Sequence, residues 1–186
     1  MRRYVCFALV FTFILICVPG KSYANDSKLE LEWDYLTHWH FNGRYIDTAS
    51  LHILENVSRT DNKSVYRGIT ITRPHGHIIN DQQQTKDSSA VGVGPVYMIR
   101  NERMLSGKLY EALEVSGGLI LYDKAFPAGG RAYNFMWRIG PQFIYKINEN
   151  SSVNVGYMFM HVSNGFKTHN PGYNAHGASL SFVMKY

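Results

Sequence analysis

Residues 131–146 read Arg-Ala-Tyr-Asn-Phe-Met-Trp-Arg-Ile-Gly-Pro-Gln-Phe-Ile-Tyr-Lys, and their alternation decides the fold. Tyr133, Phe135, Trp137, Ile139, Phe143 and Tyr145 fall on one face of an extended strand, while Asn134, Arg138, Gln142 and Lys146 fall on the other. A soluble sandwich also alternates, but its buried face is seldom so aromatic or its strands so long. The run suits a transmembrane strand with aromatic girdles, which needs about 9–11 tilted residues.

Similar segments lie on both sides. Leu29, Leu31, Trp33 and Tyr35 alternate with Glu30, Glu32 and Asp34; Leu109, Leu113, Val115, Leu119 and Leu121 share a face opposite Glu114 and Ser116. Val153, Val155, Tyr157 and Phe159 alternate with Asn154, Gly156 and Met158, and Leu180, Phe182, Met184 and Tyr186 form a last apolar set. Period-2 strands are predicted near 28–37, 43–55, 63–73, 90–100, 109–122, 131–146, 151–163 and 173–186. The second and third carry the weaker pattern, because Arg67 and Arg73 interrupt the apolar face of the third. The fold class is therefore all-β: an eight-stranded antiparallel transmembrane barrel of the bacterial outer-membrane type, with a side-chain-filled interior. Glu30, Glu32, Asp34, Glu114 and Arg138 would point inward and must pair there, since lone buried charges are costly. A soluble up-and-down barrel such as a lipocalin is the structural alternative; its apolar face would line the interior instead.

Loop lengths orient the barrel. Such barrels have short periplasmic turns and longer outer loops. The stretch Pro74–Ser89 and the Gly/Pro segment Asp123–Gly130 are predicted outside, and Ile147–Asn150 as a tight periplasmic turn.

Residues 1–24 read as a cleaved secretory signal, leaving residues 25–186 as one barrel domain. Arg2 and Arg3 precede an apolar run from Tyr4 to Val18, Pro19 and Gly20 break it, and Ser22-Tyr23-Ala24 supplies small residues for cleavage. Cys6 and Cys17, the chain's 2 cysteines, both lie in that leader, so the exported protein is expected to have no thiol and no disulfide. Setting aside Arg2, Arg3 and Lys21 leaves 16 of the 19 basic residues against 14 acidic ones, a net charge of about +2. A nucleic-acid partner loses its electrostatic support, and no nucleic-acid motif restores it. The outer membrane is the expected location.

The chemistry lies near the end of the seventh predicted strand. His161 and Ser163 are two residues apart, so they share a face and make a base–nucleophile pair suited to ester cleavage. Their odd parity continues Val153, Val155, Tyr157 and Phe159, which places them on the lipid side at the outer rim. In the last strand the lipid-facing parity is even, and read backwards it reaches His176 and Asn174. If these strands form a hairpin, His161, Ser163 and Asn174 meet in one exterior patch. Polar groups facing lipid are expensive unless they sit at the interface or are used, so the substrate would be a lipid.

His161-Val162-Ser163-Asn164-Gly165, followed by Asn170-Pro171-Gly172-Tyr173-Asn174, resembles the H-x-S-N…N-P-G signature of the lipid A 3-O-deacylase (PagL) family. Gly117-Gly118, Pro127-x-x-Gly130 and Asn134-Phe135 are similar to that family's fifth and sixth strands. The resemblance is clear over about 109–186 and faint over 25–108. It implies an outer-membrane barrel that removes the ester-linked 3-hydroxyacyl chain at position 3 of lipid A, without a cofactor, from lipopolysaccharide in the outer leaflet. It also implies Ser163 as nucleophile, His161 as base, and Asn164, Gly165, Asn170 and Gly172 as the oxyanion and substrate-positioning frame. Two departures stand out. Well-known members orient the histidine with a glutamate where this chain has Asn174, and no acidic residue follows Glu149. The 164–170 segment also has a single Gly165 where an Ala-Gly pair is common. The functional alternative is a non-catalytic small barrel of the adhesion or opacity type that retains the signature as a relic of the fold.

The remaining chemistry-bearing residues read as ordinary surface groups. His38, His40, His75 and His77 form two H-x-H pairs with no third metal ligand near in sequence, so no metal is expected. Lys167, Arg73 and Arg131 sit at predicted outer ends, within reach of lipid A phosphates.

Overall fold

The computed structural model describes residues 28–39, 43–165 and 170–186. The expected leader, His40 and Lys167 lie outside these residues. The chain is all-β. Its strands are β1 (Lys28–His38), β2 (Arg44–Arg59), β3 (Lys63–Ile79), the short β4 (Thr85–Asp87), β5 (Gly92–Ser106), β6 (Leu109–Phe126), β7 (Arg131–Lys146), β8 (Ser151–Ser163) and β9 (Tyr173–Lys185). Each long strand pairs antiparallel with the next, β3 pairs directly with β5, and β9 returns to β1, so eight strands close a barrel. No helix among the described residues is long and apolar enough to cross a membrane; the crossing elements are strands.

Alternation sorts the two faces as expected. Trp33, Ile69, Val115, Trp137, Phe143, Val155 and Leu180 are exposed on the outside, where lipid satisfies them. Glu30, Glu32, Asp34, Glu114 and Arg138 are all fully buried inside. Arg138 Nη2 donates to Glu32 Oε1 at 2.6 Å and lies 3.0 Å from Asp34 Oδ2. Arg100, which the strand pattern did not single out, carries the other half of the network. Its Nη2 donates to Glu30 Oε1 at 2.7 Å and to Glu114 Oε2 at 2.8 Å. A buried charge without a partner would cost several kcal/mol, so these pairings are what makes a polar interior tolerable.

Arg67 and Arg73 share the outward face of β3 with Ile69 and Ile71 and interrupt its apolar run as expected; Arg67 Nη2 meets Glu55 Oε2 at 3.2 Å on the barrel's exterior. Two expectations need correction. Pro74–Ser89 is not a plain loop. β3 continues through Pro74 to Ile79, paired with β2, and β4 folds back on it. Asp123 to Phe126 likewise belong to β6, reached through a register shift between Leu121 and Phe126, which leaves a turn at 127–130. A residue-by-residue reading stops at prolines and polar runs, whereas a paired neighbour carries the strand through them.

The connections at 60–62, 107–108 and 147–150 are short and share one end, which is the periplasmic one by the rule for such barrels. The opposite end holds the longer connections. Behind that rim the interior is apolar: Met136, Met158, Met160, Val162, Tyr173 and Ala175 belong to one buried cluster with Leu36, Ile46, Ile120 and Phe126. The outer ends of β8 and β9 therefore rest on a packed core, which gives the residues on their outward face a rigid base.

Candidate active site

The last register pairs of β8 and β9 are His161 with Asn174 and Val162 with Tyr173. Val162 and Tyr173 turn inward and are buried, and the Tyr173 hydroxyl bonds Thr48 Oγ1 at 3.1 Å. His161 and Asn174 turn outward. The His161 Nδ1–H donates to Asn174 Oδ1 at 2.7 Å, which leaves Nε2 with its lone pair. The expected convergence of His161 and Asn174 on one exterior patch is thus present. Asn174 is fixed along its backbone as well, because its carbonyl accepts the Trp39 N–H at 3.0 Å.

Ser163 shares this face and pairs across β7 with Phe135, as His161 pairs with Trp137. The Trp137 and His161 rings lie 5.8 Å apart. The turn after Ser163 leans on the pair. A Cβ added at Gly172 would fall 2.8 Å from the Val162 carbonyl oxygen, 3.1 Å from Ser163 Cβ and 3.6 Å from His161 Cε1. Only hydrogen fits there. Gly165 has φ of 83°, a left-handed conformation that suits glycine. The Asn164 N–H donates to Asn170 Oδ1 at 3.0 Å, and Asn170 Nδ2 donates to the Gly165 carbonyl at 2.8 Å. Asn170 therefore clamps both ends of Asn164-Gly165, while the Asn164 side chain is buried on the inner side.

Towards the membrane interior the patch becomes aromatic. Phe159 and His176 stack with ring centres 6.0 Å apart, and Trp39 packs on both, at 5.4 and 5.6 Å. The Tyr157 hydroxyl bonds His176 Nδ1. Trp39 was missed by the strand pattern, which ended at residue 37, although its odd number continues the outward set Leu31, Trp33, Tyr35. Chemically, the patch offers a histidine in a defined tautomer, a hydroxyl on the same face, and a glycine-lined turn beside both. Those are the parts of a serine-esterase site.

A second histidine chain lies inside the barrel. His52 Nδ1 meets Thr70 Oγ1 at 2.7 Å and Nε2 meets Asp34 Oδ2 at 3.1 Å. All of it is fully buried, so it belongs to the interior network. On the outer surface His38 Nδ1 bonds Asp47 Oδ1 at 2.9 Å, and His77 stacks on Tyr45. Among the described residues no group of three His, Cys, Asp or Glu is disposed to hold a metal. Arg73 and Arg131 are exposed.

The profile of the family described as lipid A 3-O-deacylase (PagL) matches residues 27–183. The crystal structure of the outer membrane enzyme PagL is similar at a TM-score of 0.54 and 17% identity, covering 86% of this chain and 99% of that one. Neisserial surface protein A (NspA) is similar at a TM-score of 0.55 and 10% identity, covering 87% of this chain and 96% of that one. At such identities these two likenesses speak for the barrel alone. No curated protein matches.

Proposed function

This chain belongs to the lipid A 3-O-deacylase (PagL) family, and from that premise we propose that it is an outer-membrane esterase. It would release the ester-linked 3-hydroxyacyl chain at position 3 of lipid A. The observation that carries the proposal is the meeting of the two halves of the H-x-S-N…N-P-G signature on one lipid-facing patch, with His161 hydrogen-bonded to Asn174.

In this mechanism Ser163 Oγ attacks the ester carbonyl carbon while its proton passes to His161 Nε2. Collapse of the tetrahedral intermediate expels the sugar oxygen, which takes that proton and leaves as the free hydroxyl. Water, deprotonated by His161, then attacks the Ser163 ester. The 3-hydroxy fatty acid departs and Oγ recovers its proton. Asn174 holds the histidine tautomer through both halves. The turn that opens at Gly165 supplies the oxyanion surroundings; Asn164, with its N–H held by Asn170 and its side chain turned inward, anchors that turn, and Asn170 and Gly172 keep it against the nucleophile. The substrate arrives sideways from the outer leaflet, which explains why a polar cluster occupies a lipid-facing rim. The exported location follows from the fold type, with residues 1–24 removed as a signal.

The second reading is a non-catalytic barrel that keeps the signature as a relic of the fold, and Asn174, standing where well-known members have a glutamate, speaks for it. One assay separates the two. Refolded protein is incubated with purified lipopolysaccharide, and lipid A is weighed by mass spectrometry. The expected result is loss of one 3-hydroxyacyl group, with Ser163→Ala slower by about a thousandfold or more. A wild type that releases nothing refutes the esterase; a Ser163→Ala protein of equal rate refutes the nucleophile.

A further inference from the structure

The row of outward residues through the site leads to a gap. Register pairs link Asn174 to His161, His161 to Trp137, Trp137 to Gly117, and Gly117 to Tyr97. Trp137 is 50% exposed and Tyr97 38%, so two large rings flank a position with no side chain. The neighbouring glycine is needed for packing: a Cβ at Gly118 would fall 2.3 Å from the Pro95 carbonyl oxygen. Gly117 has no such reason. A Cβ there meets the Met136 carbonyl oxygen at 3.5 Å, an ordinary contact, and its φ lies outside the left-handed region. Glycine inside a strand forgoes contacts and loses backbone entropy, and close approach of a ligand is one physical use for it.

The same row shows how the strands lean. Beyond Tyr97 it continues to Arg67 and Glu55, near the periplasmic ends of β3 and β2. At its other end it reaches Asn174, at the outer end of β9. Rows therefore descend from β9 towards β2, and a line dropped along the bilayer normal from Ser163 crosses β7 and then β6. Ser163 pairs with Phe135, and Phe135 with Leu119. Gly117 is thus two strands across and one side-chain row below Ser163, roughly 12 Å over the surface. Acyl chains in a leaflet run along that normal.

We propose that Gly117 floors a trough between Trp137 and Tyr97 that seats the acyl chain being cleaved, and that this trough favours long chains. The proposal rests on the deacylase reading above and adds its chain-length selectivity. Two synthetic glucosamine phosphates, esterified at position 3 with 3-hydroxytetradecanoate or 3-hydroxybutanoate, are presented in detergent micelles to the refolded wild type, Gly117→Leu and Ala178→Leu. Ala178 is also exposed, between Tyr157 and Tyr35 in register, but lies off the descending line. The expected result is a long-to-short ratio of kcat/KM at least tenfold lower in Gly117→Leu and at its wild-type value in Ala178→Leu. Gly117→Ala, a smaller filling, should lower the ratio about threefold and carries the test if the leucine variant fails to show heat-modifiable migration. An unchanged ratio in the folded Gly117 variants, or an equal shift in Ala178→Leu, overturns the trough while leaving the esterase standing. A wild type that cleaves neither substrate overturns the esterase and the trough with it.

Discussion

Replacing Asn174 by aspartate should accelerate the reaction, and the structure sets the size of the effect. Asn174 Oδ1 already stands 2.7 Å from His161 Nδ1, and its backbone is held by Trp39 on one side and β8 on the other. Aspartate is isosteric, so the acceptor stays in place and only its charge changes. A neutral hydrogen bond contributes about 1 kcal/mol net and one to an ion about 1.5–3. The difference, about 0.5–2 kcal/mol, acts when His161 has taken the serine proton, which corresponds to roughly two- to thirty-fold in kcat. Partial exposure at the rim screens the charge, and the lower end, about twofold, is the expectation. Asn174→Ala removes both the bond and the tautomer lock and should be slower by about tenfold. Asn174→Glu restores the residue type of well-known family members, but its extra methylene must push the imidazole towards Trp137, so its gain should be smaller than that of aspartate. Turnover at saturating lipopolysaccharide, with heat-modifiable migration as the folding control, reads all three. An aspartate variant no faster than wild type refutes the charge reasoning, and an alanine variant as fast as wild type removes Asn174 from the site.

Two further outcomes follow from close contacts. Gly172→Ala places a methyl group 2.8 Å from the Val162 carbonyl and 3.1 Å from Ser163 Cβ; displacement of the nucleophile should lower kcat by about a hundredfold in a barrel that still folds, and a variant with wild-type kcat would show that the turn does not position Ser163. Arg138→Met strands Glu32 and Asp34 inside the barrel and should lower unfolding free energy in urea by about 3–5 kcal/mol, with activity per folded molecule retained; an unchanged urea midpoint would show that the interior carboxylates find other partners.

What the chain makes legible depends on whether a property belongs to one strand or to two. Face assignment belongs to one: lipid and a filled interior impose opposite chemistry on successive residues, so Trp137 and Arg138 sort themselves by parity, as do His161 and Val162. Pairing belongs to two. Arg100 meets Glu30 across 70 positions of sequence, and nothing local to either marks the other. β3 runs past Pro74 only because β2 holds it there, and Trp39 joins the patch because β1 continues beside β9. The site was legible to the extent that its motif halves are hairpin neighbours, a pairing implied by sequence adjacency. Gly117 lies at the opposite extreme. Its sequence context, a Gly-Gly pair in an apolar strand, does not distinguish the glycine that packing requires from the one it leaves open. Only the register, carried across β7 to His161, sets it on the descending path from Ser163. A residue can therefore act on the substrate from two strands away while its own strand gives no sign of it, and in a tilted barrel the search for such residues should follow the membrane normal rather than the strand that bears the nucleophile.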